Sequence, residues 1–260
     1  MERIGFIGTG EIAAAMVAGL TGRGHQILVS ERNGAMAAAL AAQFSDVTIA
    51  PNDQVVADSD TVFLCLLADV ARKVVPDLPF RDDHRVISVM VDVPLADLRM
   101  LCAPVNEIAI TIPLPSIAVG GSALPVYPDS MALRSLFADT DMIIPCQSEV
   151  ALNAHFAATA LASPILDQMR EGARWLAALT GDQTASEQYL ATVFAGFLRS
   201  MTENPETSFT DLLDSLATEG GLNAAMRAHM REAGVVDALA DGLDALKPRL
   251  GLTDQTPMLR

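Results

Sequence analysis

RIGFIGTGEIAAAMVAGL, residues Arg3–Leu20, opens on an apolar run, breaks at two glycines and resumes as an alanine-rich segment. Ile4, Phe6 and Ile7 lack the polar alternation of a half-exposed strand and predict a strand buried on both faces, as in parallel α/β sheets. Gly8 and Gly10 permit a tight turn and close backbone approach, and Glu11–Leu20 predicts a helix whose Ile12, Met16 and Leu20 share one face. The frame is G-x-G-x-x-A: Gly8, Thr9, Gly10, Glu11, Ile12 and Ala13. Free N–H groups at that helix start, with the positive end of its dipole, suit a pyrophosphate, so the turn predicts a dinucleotide site. Its position between a strand and a helix gives so short a motif its weight.

The alternation continues. Gln26–Ser30, Val47–Ala50, Thr61–Leu67, Val86–Val91, Ile108–Ile112 and Met142–Pro145 are further apolar segments, separated by helical stretches such as Met36–Phe44, Asp53–Asp58, Leu95–Leu101 and Ser130–Phe137. After Glu149 only helical patterns remain, as far as Leu250. The expected architecture is α/β: an N-terminal Rossmann-type doubly wound parallel sheet over residues 1–148, followed by an all-α C-terminal domain over 149–260. Val150–Leu166 carries no charge, which predicts a helical stretch covered on every side. A second copy is the expected cover, giving a homodimer joined through the helical domain. The tail after Gly251 is expected to be loosely held.

Composition narrows the function classes. At 260 residues and 51% hydrophobic content the chain can bury a sizeable core. A formal net charge of -15 opposes nucleic-acid binding, because a surface that repels phosphate gains nothing from counterion release. Cys65, Cys102 and Cys146 are widely spaced and read as small core residues in a reducing cytoplasm. The first strand begins at once, so no signal peptide is expected, and the long uncharged run Ile108–Pro128 is broken by prolines and by Gly120 and Gly121, so no membrane span is expected either. His25, His84, His155 and His229 lack metal-ligand spacing, and no metal is expected. His155 reads either as an acid or base near a cleft or as a satisfied core or interface histidine.

The second strand ends in Ser30, Glu31, Arg32 and Asn33, about where NAD enzymes place the acidic residue that holds the adenosine ribose. Glu31 would favour NAD through the ribose hydroxyls. Arg32, with Ser30 and Asn33, would instead cradle a 2′-phosphate by charge-assisted hydrogen bonds.

IGFIGTGEIAAAMVAGL, VISVMVDV, ITIPLPSIAVGGSALPVYP and ENPETSFTDLLDSLATEGGLNAAM, in that order, resemble the pyrroline-5-carboxylate reductases over nearly the whole chain. The resemblance implies NADP, with NADPH preferred over NADH, and hydride transfer to a cyclic imine or a related C=N or C=O substrate, as in proline biosynthesis. It implies that Gly8, Thr9, Gly10, Glu11 and Ile12 hold the pyrophosphate, that Ser30, Arg32, Asn33 and Asn52 take the adenosine end, and that Leu66, Leu67 and Pro113 border the nicotinamide. In the helical domain it implies Gly220 and Gly221 as backbone donors to a substrate carboxylate, with Thr218 and Asn223 as catalytic candidates and Asn223 bonding the imine.

Departures cluster where chemistry would occur. Leu114, Pro115 and Ser116 replace the rest of the family's P-N-T-P loop after Pro113, and Glu219 and Asn223 stand for a proline and a threonine of S-P-G-G-T-T. The FAATAL segment, Phe156–Leu161, lacks the glycines of the family's G-S-G-P-A-Y. A carboxylate at Glu219 disfavours an anionic substrate unless it is protonated or meets a cation. Two other readings therefore stand beside the first: a reductase of neutral or cationic substrates, and a non-catalytic NADP-binding sensor or assembly protein.

Overall fold

The computed structural model describes residues 2–90 and 92–252. It divides into two compact units, residues 1–156 and 157–260. In the first, β1 (Arg3–Ile7), α1 (Glu11–Leu20), β2 (Gln26–Ser30), α2 (Gly34–Gln43), β3 (Val47–Ala50), α3 (Asn52–Ala57), β4 (Thr61–Leu64), α4 (Ala68–Val74), β5 (Arg85–Ser88), α5 (Leu95–Leu101) and β6 (Glu107–Thr111) alternate strictly. Then come β7 (Ala123–Tyr127), α6 (Met131–Phe137), β8 (Met142–Pro145) and α7 (Glu149–Thr159). The sheet order is β3-β2-β1-β4-β5-β6-β7-β8, and the first six strands are parallel. The expected doubly wound sheet is present.

Both sheet faces are covered, which is why these strands read as continuous apolar runs. On one face Phe6 stacks on Phe63 at 4.8 Å and Phe137 meets Phe63 edge-on, packed with Met16, Val17 and Leu20 of α1. On the other, Ile7, Val62, Leu64 and Ile110 pack with Val55, Val56, Ala71 and Leu98. Gly5 in β1 lets α3 approach: a Cβ there would lie 2.8 Å from Val55 Cγ1.

Several boundaries differ from the sequence reading. β4 stops at Leu64 rather than Leu67, because Leu67 already caps α4. β5 stops at Ser88, and the predicted end of that strand, Val91, lies outside the described residues, as does the tail from 253 on. The stretch Ile108–Pro128 contains the reversal of the sheet: β7 runs antiparallel to β6, and β8 runs parallel to β7.

His84 sits beneath the start of β5, buried, with Nδ1 accepting the Arg81 N–H at 2.9 Å and Phe80 edge-on to its ring. Burial, aided by the Arg81 guanidinium, holds its pKa below the ordinary histidine value. The unfolded chain therefore binds the proton more readily. The stabilisation is complete above the unfolded-state pKa and is lost as pH falls from there toward the folded value. Between about pH 7.5 and 5.5, the melting temperature of the wild type is expected to fall more steeply than that of His84→Gln. Parallel melting curves for the two proteins would contradict this.

The second unit contains α8 (Ala162–Thr180), α9 (Gln183–Glu203), α10 (Phe209–Ser215), α11 (Leu222–Glu232) and α12 (Val235–Asp244). α8 and α9 form a helical hairpin closed at Gly181, with the Asp182 side chain capping α9 by accepting from Ala185 N at 2.9 Å. The uncharged stretch Val150–Leu166 is not one covered helix. It breaks after Thr159, and within one chain Ile165 and Leu166 are exposed.

Candidate functional site

β1 delivers its chain to the glycine turn at the carboxyl edge of the sheet. The strand order reverses there, with β2 on one side of β1 and β4 on the other, and such a crevice is the usual ligand position in open α/β sheets. Gly8 has φ +95°, and a Cβ on it would lie 2.4 Å from the Cys65 carbonyl oxygen. Gly10, the N-cap of α1, is different: its φ of -91° suits any residue, and a Cβ would meet nothing within 4 Å. The protein's own packing does not require glycine at that position. The space above it suits a ligand drawn close to the backbone, and the first-turn N–H groups of α1 have no partner four residues back in the helix.

Two of the expected cofactor residues support the turn from below. The buried Ser30 hydroxyl accepts from Gly8 N at 2.8 Å, and the buried Thr9 hydroxyl donates to Ser30 O at 2.7 Å. Asn33 donates from its amide to Thr9 O at 3.0 Å, tying the second loop to the first. Arg32 and Glu31 are exposed beside that tie, and Glu11 is exposed at the first position of α1. Asn52, half-buried, opens α3.

Leu66 and Leu67 follow β4 at the same edge. Leu66 is half-buried, whereas Leu67 is 78% exposed. After β6, Pro113 is buried and Leu114 is exposed. The edge thus presents a polar turn, one guanidinium and an apolar strip. Burial pushes the Cys65 thiol at this edge up to about 12, so it is held as the neutral thiol. His155 is exposed, and its Nδ1 donates to Ala151 O at 2.8 Å, one helical turn back. Among the described residues no cluster fit to hold a metal occurs.

In the helical unit, Thr218, Glu219, Gly220 and Gly221 form one β-turn. Gly221 N donates to Thr218 O at 2.9 Å, and Gly220 has φ +70°. Because Glu219 is not in the positive-φ region, this is a type II turn, which favours proline at its second position and glycine at its third. Glu219 occupies the second position of that turn, and its carboxylate is exposed. The Gly221 N–H is engaged in closing the turn. Asn223, the second residue of α11, lines an apolar groove of about 490 Å³ with Ile165, Phe194, Leu213, Met226 and Leu239.

One tie escaped the sequence reading. Asp141, Ser122 and Ser116 hold the loop after β6, and residues so far apart in the chain leave no local signature.

Residues 3–92 match the family described as NADP oxidoreductase, coenzyme F420-dependent. A comparison with curated protein sequences finds no match. Among solved structures, 1-pyrroline-5-carboxylate reductase from Streptococcus pyogenes is similar at a TM-score of 0.81 and 17% identity, over 96% of this chain and 98% of that one. Pyrroline-5-carboxylate reductase from Coxiella burnetii gives 0.80 and 19%, over 96% and 97%. The Plasmodium falciparum pyrroline carboxylate reductase, solved with NADP bound, gives 0.78 and 14%, over 96% and 97%. Over 96% of its length the chain has the fold of these pyrroline-5-carboxylate reductases, with a Rossmann-type N-terminal part and a helical C-terminal part.

Proposed function

We propose that this chain is an NADPH-dependent reductase of C=N bonds, with residues 1–148 holding the cofactor and 149–260 forming the substrate and subunit-contact domain. The observation that carries the reading is Gly10, a glycine that neither its backbone angles nor its neighbours require, at the N-terminus of a helix at the sheet's switch point. Gly8, Thr9, Gly10, Glu11 and Ile12 would hold the pyrophosphate through backbone N–H groups. Arg32 and Asn52 would take the adenosine end, with Ser30, Thr9 and Asn33 keeping the two loops in register. Leu66, Leu67 and Pro113 would wall the nicotinamide and exclude water. When bound, NADPH supplies a hydride to the electrophilic carbon, and the protein's task is orientation. The NADP-bound relative from Plasmodium falciparum supports the choice of cofactor.

Arg32 is the exposed cation of the adenosine loop, and a 2′-phosphate distinguishes NADPH from NADH. Arg32→Ala is expected to weaken NADPH about tenfold, near 1.4 kcal/mol, and to leave NADH within about twofold. Titration calorimetry with both cofactors checks it. A wild-type preference for NADH would assign the pocket to Glu31.

The substrate reading turns on Glu219. An exposed carboxylate on this turn favours a neutral or protonated imine over one bearing a carboxylate. The wild type is expected to reduce 1-pyrroline at least tenfold better than pyrroline-5-carboxylate, and Glu219→Pro with Asn223→Thr to narrow that ratio. A cofactor-oxidation screen across cyclic imines with and without a carboxylate tests the function as a whole. Steady NADPH consumption by any of them supports the reductase. Tight NADPH binding with no consumption would instead favour the sensor, which the altered Phe156–Leu161 segment suggests. We place the protein in the cytoplasm, a reducing setting that suits its three free cysteines; among the described residues no helix is long and apolar enough to cross a membrane.

A further inference from the structure

The loop between β6 and β7 leaves the carboxyl edge of the sheet at Pro113 and returns at Ser122. Between those points it is held twice. The buried Ile117 sits in the core cluster with α1, and its carbonyl approaches so closely that a Cβ on Gly19 would lie 2.4 Å from it. At the return, Ser122 N donates to Asp141 Oδ1 at 2.8 Å, and the Ser122 and Ser116 hydroxyls lie 2.5 Å apart. Gly121 N donates to Thr140 O at 2.8 Å.

Asp141 is itself buried, 7% exposed, and its second oxygen accepts from the Thr140 hydroxyl at 2.7 Å. That hydroxyl accepts from Arg23 at 2.8 Å, and Arg23 also donates to Leu136 O. Arg23 lies three residues past the last residue of α1. A continuous chain of hydrogen bonds, Arg23–Thr140–Asp141–Ser122–Ser116, therefore joins the far end of the glycine-turn helix to the loop. A buried carboxylate that accepts two hydrogen bonds is a costly arrangement to disturb, and removing it leaves the Ser122 N–H without its acceptor.

We propose that Asp141 is a positioning residue for hydride transfer: through Ser122 and Ser116 it fixes the Pro113–Leu114 step relative to α1. The inference rests on the cofactor reading above. In it, the helix sets where the pyrophosphate lies and the loop sets where the nicotinamide wall lies. Loosening the link shifts the ring against its substrate while the adenosine and pyrophosphate contacts remain.

The test uses Asp141→Ala, Asp141→Asn and Ser116→Ala in the full chain. Asp141→Ala is expected to lower kcat about tenfold, with the Kd for NADPH held within about threefold and KM nearly constant. Asparagine keeps an acceptor for Ser122 N, so Asp141→Asn should restore kcat to within about threefold of the wild type. Ser116 is exposed, and Ser116→Ala buries no unpaired charge, so it folds and should show a milder form of the same split. A second readout needs no turnover: the fluorescence and circular dichroism of bound reduced nicotinamide should change in Asp141→Ala and revert in Asp141→Asn. If no imine is reduced by the wild type, the reductase reading fails, and the spectra still decide the positioning role. Equal losses in Kd and kcat with a lowered Tm would make Asp141 a structural residue only and overturn the proposal, as would unchanged spectra and kinetics, or wild-type protein that binds no NADPH.

Discussion

Gly10→Ala is expected to lower NADPH affinity at least a hundredfold, near 2.8 kcal/mol, while leaving the melting temperature within about a degree of the wild type. The separation follows from what surrounds the position. Alanine adopts φ -91° without strain, and its methyl group would meet no protein atom within 4 Å. It would fill the space through which a pyrophosphate reaches the first-turn N–H groups of α1. Gly8→Ala is the contrasting variant: φ +95° and a contact of 2.4 Å with the Cys65 carbonyl oxygen make it costly to the fold as well. Fluorescence titration with NADPH, paired with thermal melts, distinguishes the two. Undiminished affinity in Gly10→Ala would mean that nothing anionic approaches this turn.

The helical unit is expected to exist only as part of a homodimer. Among its described residues Ala173 and Ser186 alone are buried in a single chain, and Trp175 and Leu179 are each 69% exposed. Tyr189, Leu198 and Phe209 are more than half exposed as well. Helices that bury so little of their apolar surface do not offset the conformational entropy of ordering them. A second copy carries the same unpaired surface, and a two-fold contact lets each cover the other. Trp175 and Leu179 lie one turn apart on α8. Trp175→Asp with Leu179→Asp is expected to weaken the dimer at least a hundredfold and to reduce helical content at micromolar concentration. Light scattering and circular dichroism across a dilution series measure both. A monomer that keeps its full helical signal would show that one chain suffices.

The parallel sheet was legible because its strands are buried on both faces, so that Ile4–Ile7 and Thr61–Leu64 announce themselves as apolar runs between helical segments. The reversal at β7 was not, since antiparallel pairing of Ile110 with Tyr127 depends on a loop that packs against α1 at a distance in sequence. The glycine turn was readable from its spacing together with its place between a strand and a helix. What spacing could not reveal is that Ser30 and Thr9 lie buried under the turn, because both face inward only once β1 and β2 are paired. In the sequence Glu219 reads only as a carboxylate that disfavours an anionic substrate. In the folded chain it occupies the second position of a type II turn whose third position, Gly220, supplies the positive φ, so the turn closes with a carboxylate at that position.

The proposed reaction passes a hydride from NADPH to the carbon of a C=N bond. It is tested most directly by single-turnover reduction of 1-pyrroline with NADPH deuterated at the transferring C4 position, followed by mass spectrometry of the amine. One deuterium is expected in the product, on the former imine carbon, appearing at the rate of cofactor oxidation. Amine without deuterium, or no amine from protein shown to be saturated with NADPH, would contradict it.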